Sequence, residues 1–135
     1  MRALVWWVWL LTAGLGSYLA TVWIRHGGLS QRLPGVTRLP LWLVGGHVLL
    51  AAGGLVAWSA YLMGGVRGSA WAACAVALIV AAFGFMMLLR WLPSSGRHSQ
   101  AGTAERHFPL AAVVAHGMCA GATVLLVVIV VLRRM

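Results

Sequence analysis

The chain has 135 residues, 62% of them hydrophobic and only 8% charged. A water-soluble domain of this size carries about a quarter charged residues, so the composition excludes one and points instead to apolar helices crossing a lipid bilayer. The net charge of +9 comes from ten arginines at the ends of apolar runs or in loops. No basic stripe lies along a soluble face, so nothing here resembles a nucleic-acid-binding surface.

In chain order, the first apolar run covers about 3–24 and follows Arg2. Gly14, Gly16 and Ser17 give it some likeness to a signal peptide, but the run continues to Ile24, beyond a signal core, and is read as a helix of the mature protein. A polar loop over 25–40 carries Arg25, His26, Arg32 and Arg38. The second run, about 41–63, starts after Pro40, where proline is tolerated at a helix start. The tight link "MGGVRG" leads into the third run, about 69–89. A second long loop, 90–108, holds Arg90, Arg97, His98, Glu105, Arg106 and His107. The fourth run, about 109–132, starts at Pro109. The expected fold is an all-α membrane protein, a four-transmembrane-helix bundle forming a single domain over 1–135.

The sequence also matches itself. At an offset of 65, Arg2 falls on Arg67, Trp6 on Trp71, Tyr18 on Phe83 and Arg25 on Arg90. At an offset of 69, Pro40 falls on Pro109, Val44 on Val113, His47 on His116 and Ala51 on Ala120. This is read as a tandem duplication of a two-helix hairpin, with units of about 1–65 and 66–135. Each unit crosses twice, so the copies share an orientation about an axis along the membrane normal. The second and fourth helices then run parallel, with His47 and His116 at one depth.

A lone intramembrane histidine is commonly a hydrogen bond between helices. Two at symmetric positions can also face each other across the axis, the arrangement for axial ligation of a b-type haem. Small residues share a face with each histidine: Ala51 and Gly54 with His47; Ala112, Ala120 and Thr123 with His116. They leave room for a porphyrin, or simply let helices approach. Tyr18, Phe83, Phe85, Met86 and Met87 lie at matching depth on the other helices. Arg38, Arg106, Arg25 and Arg90 stand at the same end and have the forked donors that suit haem propionates. Anchoring to lipid headgroups is their other reading.

A four-helix membrane bundle with His47 and His116 paired resembles the small b-type cytochromes, among them the cytochrome b561 relatives and the haem-binding anchors of succinate dehydrogenase. The b561 pattern uses four histidines for two haems. Here nothing comparable lies near the short-turn end, so the resemblance implies one haem b between the second and fourth helices.

The resulting expectation is an electron-transport protein of the cell membrane, a possible cytochrome subunit of an oxidoreductase, with quinone or a membrane oxidoreductase as partner. The alternative is a non-catalytic accessory or assembly subunit of a larger membrane complex, its eight tryptophans facing lipid or partner helices. Catalysis by paired carboxylates has no material, since Glu105 is the sole acidic residue. Two histidines fall short of a catalytic zinc site, which takes three protein ligands. Six arginines on the long-loop side against four on the other favour long loops in the cytoplasm and termini outside.

Overall fold

A computed structural model describes residues 1–32, 35–92 and 102–133. Four long helices make up the bundle: α1 (Arg2–Arg25), α2 (Leu41–Gly64), α3 (Arg67–Trp91) and α4 (Leu110–Leu132). A short 3₁₀ turn, Ala104–His107, precedes α4. All four helices are long and apolar enough to cross a membrane. In such surroundings a helix satisfies its own backbone groups, which is why continuous apolar runs adopt it. Their bounds agree with the sequence reading to within two residues.

Local chemistry sets the helix ends. Pro40 and Pro109 act as N-caps with φ of −66° and −64°. Their carbonyls accept the first helical bonds, from the amides of Val44 and Val113. Gly65, at φ 67°, ends α2 in the left-handed conformation, and its N–H reaches the Tyr61 carbonyl at 2.9 Å. A side chain would be strained there, so glycine makes the tight α2–α3 turn possible.

Neighbours in the sequence are neighbours in the bundle, and α4 closes the ring against α1. The main pairings are α2 with α3 and α1 with α4, so α2 and α4 lie across a diagonal. Arg133 donates to the Met1 sulfur at 3.6 Å, placing the start of α1 beside the end of α4.

The core sits in the half of the bundle near the α2–α3 turn. Val5, Trp9, Trp58, Tyr61, Ala73 and Val127 are buried there. Trp9 packs against Gly54, where an added Cβ would come within 2.7 Å of the indole. Indole N–H groups find partners, as buried ones must: Trp58 donates to the Arg2 carbonyl at 3.2 Å and Trp6 to Ser59 Oγ at 3.0 Å. A second, smaller cluster of Trp23, Leu39 and Ala104 seals the opposite end.

Between these clusters the helices meet through half-buried residues, with Phe83 against Gly46 and the two histidine rings against glycines. No side chain is buried from Leu10 to Val22 in α1, Val44 to Gly53 in α2, Leu78 to Trp91 in α3, or Leu110 to Ala122 in α4. Both helix histidines lie in this belt.

Candidate functional site

His47 and His116 face each other across the α2–α4 diagonal, ring centroids 6.2 Å apart and planes at 60°. Each ring is pinned from behind by the helix its own helix packs on most. His47 Nδ1 lies 3.0 Å from the Val80 carbonyl of α3, and His116 Nδ1 lies 3.0 Å from the Thr12 carbonyl of α1. A carbonyl only accepts, so both Nδ1 atoms carry the proton, and in the neutral rings both Nε2 lone pairs are left available.

Glycines make this geometry possible. A Cβ on Gly16 would meet His116 Cε1 at 2.9 Å, and one on Gly84 would meet His47 Cε1 at 3.2 Å. Each glycine sits one helical turn past the carbonyl that holds the ring, so the imidazole rests against bare backbone. Below the pair, the Thr12 and Thr123 hydroxyls stand 3.2 Å apart, linking α1 to α4.

The contacts follow a common spacing. Thr12 and Val80, Gly16 and Gly84, and Trp23 and Trp91 are each 68 positions apart, and His47 and His116 are 69 apart. Contacts around α1 and α3 therefore repeat at 68, not at the offset of 65 suggested by Arg2, Trp6, Tyr18 and Arg25. At 65 the matched residues differ in surroundings: Trp6 packs on the core where Trp71 is exposed, and Phe83 packs on Gly46 where Tyr18 is exposed.

The long loops form a clasp over the histidine end. Trp23 donates to Thr37 Oγ1 at 2.9 Å, and Trp91 to the Glu105 carbonyl at 3.1 Å. Thr37 and Glu105, again 68 apart, face each other, with the hydroxyl bonded to Glu105 Oε1. The same oxygen accepts the amides of Arg38 at 2.8 Å and Leu39 at 3.0 Å. Burial raises the Glu105 pKa, but the Thr37 hydroxyl and the amides of Glu105, Leu39 and Arg38 outweigh it and hold the carboxyl below its ordinary range. Glu105, taken from sequence for an ordinary loop residue, is buried.

The other expected site residues divide. Arg38 is half-buried, and its carbonyl accepts Arg90 Nη1 at 3.3 Å, which ties the end of α3 to the first loop. Arg25 and Arg106 are exposed at the same end. Tyr18, Phe85 and Met86 are exposed on the outside, whereas Phe83 lies against Gly46 and Met87 joins the Trp23 cluster. Gly54 and Thr123 are buried, Gly54 beneath Trp9 in the packed half. His26 and His107 stack outside the clasp, centroids 3.7 Å apart. Cys74 and Cys119 are free thiols. His98, Arg97 and Arg134 lie outside the described residues.

Among the described residues, no group of three or more His, Cys, Asp or Glu could hold a metal ion. A two-histidine site suits a metal that brings its own equatorial ligands. Imidazole–metal bonds are about 2 Å, and two of them plus two ring radii put centroids roughly 6 Å apart, close to the separation of the facing rings. The Nδ1–carbonyl bonds are the outer partners that ligating histidines normally have. With their ring separation, their Nε2 lone pairs and the glycines behind them, the two histidines are compatible with a haem. No family model, curated protein or solved structure matches the chain.

Proposed function

We propose that this chain is a membrane electron-transfer protein holding one b-type haem, with His47 and His116 as axial ligands. The observation that carries the reading is the facing pair at 6.2 Å, each ring turned so that Nε2 is left for a ligand. A haem bound there would supply reversible one-electron exchange.

The chain's own residues do the rest. Val80 and Thr12 fix tautomer and ring direction through their carbonyls, and Gly84 and Gly16 let the rings sit against the backbone. Pinned ligands lose little freedom when a metal arrives, which favours six-coordinate binding. The Trp23, Leu39 and Ala104 cluster shields the end of the belt from water. Arg25, Arg38, Arg90 and Arg106 supply cations at that end for two propionates. Quinone or a membrane oxidoreductase is the proposed electron partner, in keeping with a chain whose helices suit a bilayer.

The test is a visible spectrum of protein purified in mild detergent from haem-replete cells, before and after dithionite. Wild type should show the sharp low-spin b-type band on reduction. His47→Ala and His116→Ala should each lose or convert it, and His98→Ala should keep it. A colourless wild type with full helicity, or equal effects from all three substitutions, would overturn the proposal and leave the accessory-subunit reading.

A further inference from the structure

One buried charge has no part in the site so far. Glu105 is the chain's only acidic side chain, against ten arginines, and it is 2% exposed. Its Oε1 accepts from Thr37 and from the amides of Arg38 and Leu39. Its Oε2 is buried with no hydrogen-bond partner among the described residues. A loop clasp has no need of this arrangement. A glutamine carbonyl would accept the same three bonds without the cost of desolvating a charge. What the carboxylate alone supplies is a fixed negative charge.

That charge is placed with respect to the histidines. Thr37 and Glu105 meet between the starts of α2 and α4, as His47 and His116 meet between the same helices further in. From Leu39, whose amide the carboxylate holds, eight residues lead to His47, roughly 12 Å at the helical rise. Histidine side chains on α2 and α4 lean towards the helix starts, which shortens that distance. The carboxylate therefore stands over the pair at the clasped end.

Other charged or titratable groups gather there too: Arg25, Arg32, Arg90, Arg106, His26 and His107 are exposed, and Arg38 is half-buried. Water and counterions screen exposed charges, whereas a buried one acts through a poorly polarisable interior. At equal distance, the buried Glu105 charge acts on the belt with less screening than an exposed arginine.

We propose that Glu105 is an electrostatic positioning residue whose buried charge holds down the reduction potential of an iron held by His47 and His116. This rests on the haem reading. Reduction adds one electron to the site, and a nearby fixed negative charge disfavours the reduced form. Neutralising that charge shifts the equilibrium towards it.

The experiment is a potentiometric titration of the purified, haem-loaded protein, with dithionite as reductant and ferricyanide as oxidant. Wild type is compared with Glu105→Gln, Glu105→Asp and Thr37→Val. Glu105→Gln keeps an acceptor for the clasp and loses the charge, so its midpoint should move to more positive potential with an unchanged low-spin spectrum. Glu105→Asp and Thr37→Val loosen the clasp but keep the charge. Both should melt at lower temperature, yet hold a midpoint near wild type. An unmoved midpoint in Glu105→Gln overturns the inference, as does an equal shift in Thr37→Val, which would make the clasp's structure the cause. A wild type that takes up no haem removes the haem reading and this one together, whereas a haem-loaded wild type insensitive to Glu105→Gln removes this one alone.

Discussion

At the scale of single residues, the two glycines behind the histidines are as demanding as the histidines. A Cβ on Gly16 would sit 2.9 Å from His116 Cε1, too close for the ring to stay on the Thr12 carbonyl. Gly16→Ala should therefore weaken haem binding about tenfold, the scale of losing an outer partner of a ligand. Gly84→Ala, at 3.2 Å, should follow with a smaller loss. Gly14→Ala, where nothing lies within 4 Å, should leave binding unchanged. Haem titration of the apoprotein, followed at the Soret band, measures all three. A Gly14→Ala loss equal to that of Gly16→Ala would contradict the cradle. His47 and His116 stand out in the sequence because histidine is scarce and each follows a proline by seven positions. Their supports do not stand out, because every residue has a backbone carbonyl and the chain holds 17 glycines. Only the fold shows which carbonyl and which glycine lie behind a ring.

Among the elements, helix bounds were readable because a bilayer admits few alternatives to an uninterrupted apolar helix. The register between α1 and α3 was harder to read. Arg2, Trp6 and Tyr18 suggested an offset of 65, while the inward contacts obey 68, because apolar runs match at many offsets and only packing selects one. The loops were the least legible. The Thr37–Glu105 clasp joins residues from two loops, and its acceptor reads in the sequence only as an acid in a loop. The clasp has a pH signature. The folded Glu105 pKa lies below its unfolded value, so its contribution to stability is present above the unfolded carboxylate range and is lost as pH falls through the folded pKa. The melting temperature of wild type should fall as pH drops below the usual carboxylate range, whereas that of Glu105→Gln, with no carboxyl to protonate there, should fall less. Melts followed by circular dichroism across acidic pH check this, and a Glu105→Gln protein that loses as much as wild type on acidification would contradict it. The packed half offers a contrast. Gly54→Val would push a side chain into Trp9 and Val76 and should cost about 1–3 kcal/mol by overpacking. It should leave the haem spectrum intact, since Gly54 belongs to the half away from the histidine pair. Thermal melts and spectra of the same sample separate the two effects.

Over the whole molecule, one half of the bundle is packed around Trp9, Trp58 and Tyr61, while the other is clasped at its end and carries the two histidines. The two histidines lie nearer the clasped end, so under the proposed function that end is the shorter path for an electron. The central claim is that these two imidazoles together hold a single iron. Electron paramagnetic resonance of the oxidised protein, with haem counted per chain, tests it most directly. The account predicts one haem per chain with a low-spin ferric signal, lost on replacing either His47 or His116. A haem that stays low-spin with both replaced, or a fully helical chain that binds none, would contradict it.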